Sequence, residues 1–308
     1  MKHNKLSVIT SFCILAALAS GCEKESQVND ATYMSVFVSD ISSKATVTTT
    51  QSFEGLYATD GFMVFSCGHD APSSIAVNIK PFVKNDALWT PDTKIAWPAY
   101  ASDFMAWVPY DKATFSKIDH TISYTVPTDV TQQQDLLVTE KLNIPAHNNA
   151  PIELSFDHAL TAVRLVVGQE FPGGSSITSI SLCNVLLTGK YQFAPADDAP
   201  RWTDLSGSGT ISLDLSASPI SVPEEYEAGM PITGSDQTFF VIPQTCADDA
   251  HLEIMYGGKT RYIYLPEGFV FRQGDCVTLQ VNGKNDWFYV TVGIVEHRED
   301  VEAGTMSI

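Results

Sequence analysis

From Tyr33 onward, apolar and polar side chains exchange places in short runs separated by turn residues. Tyr33-Met34-Ser35-Val36-Phe37-Val38 and Gly61-Phe62-Met63-Val64-Phe65 set the pattern. A period of two sends successive side chains to opposite faces, as a half-buried strand requires, and Thr, Val, Ile, Tyr and Phe dominate the runs. The pattern predicts strands at 33–38, 45–50, 61–65, 104–108, 122–126, 161–167, 177–182, 211–215, 238–242, 252–256, 261–265, 277–281 and 288–295. Gly257-Gly258 reads as a hairpin turn and Asn282-Gly283-Lys284-Asn285-Asp286 as a second turn. Loops are expected at 145–151, 194–200 and 223–231, and no long amphipathic helix emerges. Many short strands at this spacing imply an all-β chain built of antiparallel β-sandwiches, each using roughly 100 to 140 residues.

The first 21 residues follow another pattern. Lys2, His3 and Lys5 precede an apolar run from Leu6 to Ala19 that carries no charge. It is too short to span a bilayer as a helix but suits the core of a secretory signal. It ends in Leu18-Ala19-Ser20-Gly21-Cys22, small residues before a cysteine, as a lipoprotein signal peptidase needs; Ala19 stands where leucine is more usual. Residues 1–21 are therefore expected to be removed, Cys22 to carry lipid, and 22–30 to act as a tether. Acyl chains anchor by apolar burial at roughly 0.8 kcal/mol per methylene, so two or three hold durably. Glu23-Lys24-Glu25 resembles the acidic signals that send lipoproteins of Bacteroidales to the cell surface, which points to the outer membrane.

Removal of the signal leaves 287 residues, enough for two sandwiches, and takes the formal charge from −18 to −20 through loss of Lys2 and Lys5. The most linker-like break is Glu170-Phe171-Pro172-Gly173-Gly174-Ser175-Ser176, which places one sandwich at 31–171 and the other at 172–308. So acidic a chain is repelled by nucleic acid and by anionic lipid surfaces. After Cys13 and Cys22, four cysteines remain: Cys67, Cys183, Cys246 and Cys276. Export permits disulfides, and four cysteines allow three full pairings. Cys183 and Cys276 lie in apolar strand-like runs, however, and small buried hydrophobes are the better reading. With no C-x-x-C, no metal or cofactor is expected.

Several segments, in order, resemble the fimbrillin family, the subunits and relatives of the type V fimbriae of Bacteroidales. They are Trp89 with Ile95-Ala96-Trp97-Pro98; Phe104-Met105-Ala106-Trp107-Val108-Pro109; Ile122-Ser123-Tyr124-Thr125-Val126-Pro127; and Gln134-Asp135-Leu136-Leu137. Phe156-Asp157-His158-Ala159-Leu160 looks like the family's F-x-H-A-L segment, and Ile242-Pro243-Gln244-Thr245 its I-P-Q-T strand end. The resemblance covers roughly residues 30 to 285. It implies two tandem transthyretin-like Greek-key sandwiches in a subunit or accessory (tip or anchor) component of a fimbria, with adhesion as its task. It implies export as a lipoprotein, then, in polymerising members, proteolytic removal of the first strand so that a neighbour's donor strand fills the groove. Here 33–38 would be that strand and Lys44-Ala45 the processing site, although the family favours arginine where Lys44 stands and no arginine occurs before Arg164. An uncleaved Lys44 would make the chain an anchor, tip or cap. The strand at 287–297 reads as native, with a donor role as the rival. Partners would be other fimbrial subunits, outer-membrane lipid through Cys22, and a host protein or glycan.

Catalytic constellations are missing. Asp157 and His158 are neighbours on an alternating strand, so their side chains face opposite ways and cannot form a dyad. His69, His120, His147, His251 and His297 are scattered, with no H-E-x-x-H, no G-x-S-x-G and no phosphate-binding glycine loop. Asp197-Asp198 and Asp248-Asp249 could contribute to a calcium site, which needs six to eight oxygens, but loop solvation explains them more simply. One rival reading is a glycan-binding surface lipoprotein using Trp89, Trp97, Trp107, Tyr100 and Tyr110 as a stacking platform. It requires those rings to be exposed, whereas Trp107 sits in an apolar run that reads as core. An enzyme, the third class, would need a pocket of convergent titratable groups.

Overall fold

The computed structural model describes residues 33–41, 60–148, 150–193, 201–234, 236–284 and 287–297. The first strands are β1 (Val36–Ile41), β2 (Phe62–Gly68), β3 (Ile75–Asn85), β4 (Leu88–Pro91), β5 (Ser102–Val108), β6 (Ala113–Ser116), β7 (Thr121–Thr125), β8 (Leu137–Ile144), β9 (Ile152–His158) and β10 (Thr161–Val167). The rest are β11 (Ser175–Gln192), β12 (Trp202–Asp214), β13 (Ile220–Val222), β14 (Phe239–Val241), β15 (Gln244–Thr245), β16 (His251–Tyr256), β17 (Lys259–Tyr264), β18 (Val270–Phe271), β19 (Asp275–Lys284) and β20 (Trp287–His297). Among the described residues only a 3-10 turn at Val130–Gln132, capped by Asp129, is helical, and no helix is long and apolar enough to cross a membrane. The all-β expectation holds.

Seven strands close a barrel in the order β1-β4-β3-β2-β5-β8-β9, returning to β1. Its interior holds Met34, Val36, Phe62, Val64, Phe82, Trp89, Phe104, Leu154 and Phe156. Phe62 is the hub, with ring centroids 5.4 Å from Trp89 and 5.2 Å from Phe156. The opposite faces of β2 and β5 do not meet water. Phe65, Cys67, Met105 and Trp107 belong to the second hydrophobic cluster, where Trp107 stacks on Phe115 at 4.8 Å. Burial on both faces explains why Phe104-Met105-Ala106-Trp107-Val108 is a continuous apolar run rather than an alternating one.

The second cluster fills the space between two sheets, β14-β10-β19-β20 and β17-β16-β11-β7-β6, with β12 and β13 also paired to β11. β11 is far longer than the predicted 177–182. Its second half hides its period because bulges fall between Cys183 and Val185 and between Thr188 and Lys190, with Asn184 at φ +60°. A bulge inserts an unpaired residue and breaks alternation. Gly257 and Gly258 make the predicted hairpin at φ +57° and +73°, pairing Tyr256 with Lys259. Of the second predicted turn, Asn282, Gly283 and Lys284 instead continue β19, with Lys284 paired to Trp287, while Asn285 and Asp286 lie outside the described residues.

Pairings also cross the break read at 171/172, since β7 joins β11 and β10 joins both β19 and β14. The glycine-containing segment itself is tied down. Phe171 is buried against Tyr256 and Phe288, and the Tyr226 hydroxyl donates to the carbonyls of Gly168 and Phe171. The predicted strand at 45–50 and the loop at 194–200 lie outside the described residues.

Candidate assembly site

β1 is the seam of the barrel. It runs parallel to β9, with Val36 opposite Ile152, Val38 opposite Leu154 and Ile41 opposite Phe156, across a bulge between Val38 and Asp40. On its other side it meets β4 antiparallel at one position, Val36 to Trp89. Tyr33 bridges Ala96, and the Met34 N–H donates to the Ile95 carbonyl at 2.7 Å. The Ile152 N–H donates to the Ser35 carbonyl at 2.9 Å, and the Ser39 hydroxyl to the Leu154 carbonyl at 3.2 Å. Met34 and Val36 are 2% and 0% exposed, whereas Phe37 is 46% exposed. Without β1, the edges of β4 and β9 would present unpaired N–H and C=O groups beside an apolar slot shaped by Met34 and Val36. An open edge of this kind is a template for strand addition. β20 pairs with β19 as the edge of its sheet, so it is a native strand in this structure, and its Trp287 is exposed. Cys22, Lys44 and Ala45 lie outside the described residues.

The segments that carried the family resemblance are fixed to one another. His158 of β9 pairs through Nδ1 with Asp135 Oδ2. The Ala159 N–H donates to the Leu136 carbonyl at 2.8 Å, so F-x-H-A-L and Gln134-Asp135-Leu136-Leu137 form one bonded unit. Gln244 is buried, accepts from the Leu186 N–H at 2.8 Å, and donates to the carbonyls of Leu186 and Ile242 at 2.9 and 3.0 Å. The buried amide caps backbone that would otherwise lack partners.

The remaining sequence candidates separate. The His69 Nδ1 contacts Asp103 Oδ1 at 2.7 Å on the surface, a bond that raises the imidazole above its ordinary value. His120 approaches the Cys67 sulfur at 3.8 Å. Cys67, Cys183, Cys246 and Cys276 are buried free thiols. Burial pushes Cys67 up to about 11, with Asp103 adding to the effect, and pushes Cys246 up to about 12. Trp89, Trp97 and Trp107 are buried, while Tyr100 and Tyr110 are exposed. The three tryptophans are core and form no stacking platform. Asp197 and Asp198 lie outside the described residues. Asp249 accepts from Asn184 Nδ2 through its carbonyl and its carboxylate.

One grouping that sequence reading left scattered is assembled by the fold: Cys183, His251 and Glu253, whose ligand atoms all lie within 4.8 Å of one another. The available signal was local and faint, since His251-Leu252-Glu253 places two polar groups on one face of a strand. Cys183 joins them only through the pairing of β11 with β16.

The chain is all-β, with two hydrophobic clusters and a short strand, β1, closing the barrel. A family model described as fimbrillin-like matches residues 24–297, and the chain belongs to that family, whose members are structural adhesion proteins and not enzymes. Among solved structures it is similar in fold to a putative cell adhesion protein from Bacteroides ovatus, at 14% identity and TM-score 0.57, covering 86% of this chain and 97% of that one. It is also similar to a fimbrial protein from Bacteroides vulgatus, at 16% identity and TM-score 0.58, covering 86% and 99%. A comparison with curated proteins returns no match. Membership makes this chain a fimbrial component of the cell surface that assembles with other subunits.

Proposed function

We propose that the chain is exported as a lipoprotein, anchored in the outer membrane through Cys22, and joined to other fimbrial subunits by strand addition at the seam filled by β1. The observation that carries this reading is the seating of β1. It is short, comes from the chain's N-terminal region, and pairs with β9 in the parallel sense from far away in sequence. An incoming strand with apolar residues at the positions of Met34 and Val36 satisfies the same edges and refills the same slot. Lys44-Ala45 is the proposed cut that frees the seam. The alternative, which Lys44 in place of arginine favours, is an anchor or tip in which β1 stays in place and this seam accepts no strand. We further propose that the chain is organised as two sandwich halves, 31–171 and 172–308, with β7 and β10 of the first pairing to strands of the second.

N-terminal sequencing and intact mass of protein recovered from the cell surface test this reading. A chain beginning at Ala45 identifies a polymerising subunit. A lipid-modified Cys22 with β1 retained identifies an anchor or tip. If β1 is retained, strand addition at this seam is wrong, whatever other subunits co-purify.

A further inference from the structure

Cys183, His251 and Glu253 form a trio on two strands of one sheet, away from the barrel seam. Three observations on them point to one ligand. First, the His251 Nδ1 lies 2.7 Å from the backbone carbonyl of Asp249. A carbonyl only accepts, so Nδ1 carries the proton, and in the neutral ring Nε2 presents a lone pair. Metal-binding histidines are held by this outer contact. The carbonyl is itself fixed, because Asn184 Nδ2 donates to it at 3.1 Å and to the Asp249 carboxylate at 3.0 Å. Asn184 is the bulge residue beside Cys183, so the strand that carries the sulfur is tied to the loop that orients the imidazole.

Second, His251 Nε2 stands 3.4 Å from Glu253 Oε1. Two ligands each about 2.0–2.1 Å from a tetrahedral ion are separated by roughly 3.4 Å. The nitrogen and oxygen are thus already at the spacing that zinc imposes. Third, the burial is graded: Cys183 is 6% exposed, whereas the Glu253 side chain is 38% exposed. The sulfur closes the site from within, and one coordination position faces water. All three ligand atoms lie within 4.8 Å of one another.

We propose that Cys183, His251 and Glu253 bind a zinc-class divalent cation that clips β11 to β16, with water in the fourth position. Thiolate, imidazole and carboxylate together suit zinc, whereas calcium and magnesium take oxygen ligands. Binding replaces the Cys183 S–H bond with a metal–sulfur bond and releases that proton to solvent, with no change of oxidation state.

The test uses the full chain, stripped with a chelator and titrated with Co2+ and then Zn2+. One equivalent of Co2+ is expected to give a sulfur-to-cobalt charge-transfer band, and Zn2+ to abolish the band and raise the thermal midpoint. Cys183→Ser removes the band, and Cys183→Ser and His251→Gln each weaken zinc binding at least 10-fold. Glu253→Gln, a near-isosteric change at a partly exposed position, also weakens it. Absence of stoichiometric binding overturns the proposal and leaves His251–Glu253 as an ion pair only. Unchanged affinity in Glu253→Gln and His251→Gln, with the band intact, also overturns it by placing the metal elsewhere.

Discussion

The barrel and the double-sheet region hide cores of the same chemistry but close them differently. The barrel depends on β1, which holds β4 at a single register position and joins β9 across 115 residues of sequence, as in the Ser39–Leu154 contact. In the second region β16–β17 are joined through a tight hairpin, β19 pairs with β20 as its neighbour in sequence, and the 18-residue β11 carries β12 and β13 along much of its length. Local pairing costs little loop-closure entropy, whereas a long-range strand must repay a large loop with few contacts. The comparison teaches that a strand whose pairing is both short and long-range is the most weakly held part of a closed core. A strand in the middle of the second region could not be exchanged without dismantling its neighbours.

Trp89→Ala should break the comparison most severely. Its ring fills the barrel centre beside Phe62, and loss of a buried tryptophan costs about 3–5 kcal/mol. Denaturant unfolding should show the barrel melting ahead of the second region. A single coincident transition would mean that the two cores are one cooperative unit. Met34→Ala, in the seam, should cost about 2–3 kcal/mol. It should also speed hydrogen exchange in β1 and β9 while leaving β11 and β19 protected. Equal acceleration in all four strands would show that the seam is no weaker than the rest.

Gly258→Ala tests the local closure of the second region. Its added Cβ meets nothing within 4 Å, so only the φ of +73° opposes it, at about 1–2 kcal/mol. No loss of thermal stability would mean that the hairpin turn relaxes freely. The smallest effect is alkaline. The buried thiols sit above their ordinary value of 9.0, Cys67 at about 11 and Cys246 at about 12. As pH rises past 9.0 the unfolded chain releases these protons first, so the folded state binds more of them. Stability should therefore fall between 9.0 and about 11 for Cys67, and up to about 12 for Cys246, with no contribution below that window. Denaturant midpoints measured from neutral pH to pH 11 should decline less steeply in Cys246→Ala; identical slopes would contradict this cause.

Much of this was legible from residues alone. Alternation located most strands of the second region, and Gly257-Gly258 marked its hairpin because only glycine enters that backbone region cheaply. Strands β3, β4, β6, β8, β13, β15 and β18 were not located. Ile75 to Asn85 mixes lysines, a proline and apolar residues, with Ile79 at φ +47°, and β4 and β6 have four residues each. Runs that short carry too little pattern to rise above a loop. His158 pairs with Asp135, which comes from another segment and has no sequence signal.

Local side-chain chemistry, by itself, determined the strand-rich character, the Gly257-Gly258 hairpin, the burial of Cys183 and Cys276, and the motifs that mark the family. These follow from period and propensity, which act over a few residues. Tertiary structure alone decided which strands became neighbours. It seated β1 against β9, carried β7 and β10 across the composition break, buried both faces of β5, and brought Cys183 to His251 and Glu253. Such contacts depend on how apolar faces cover one another in space, and residues far apart in sequence leave no periodic trace of meeting.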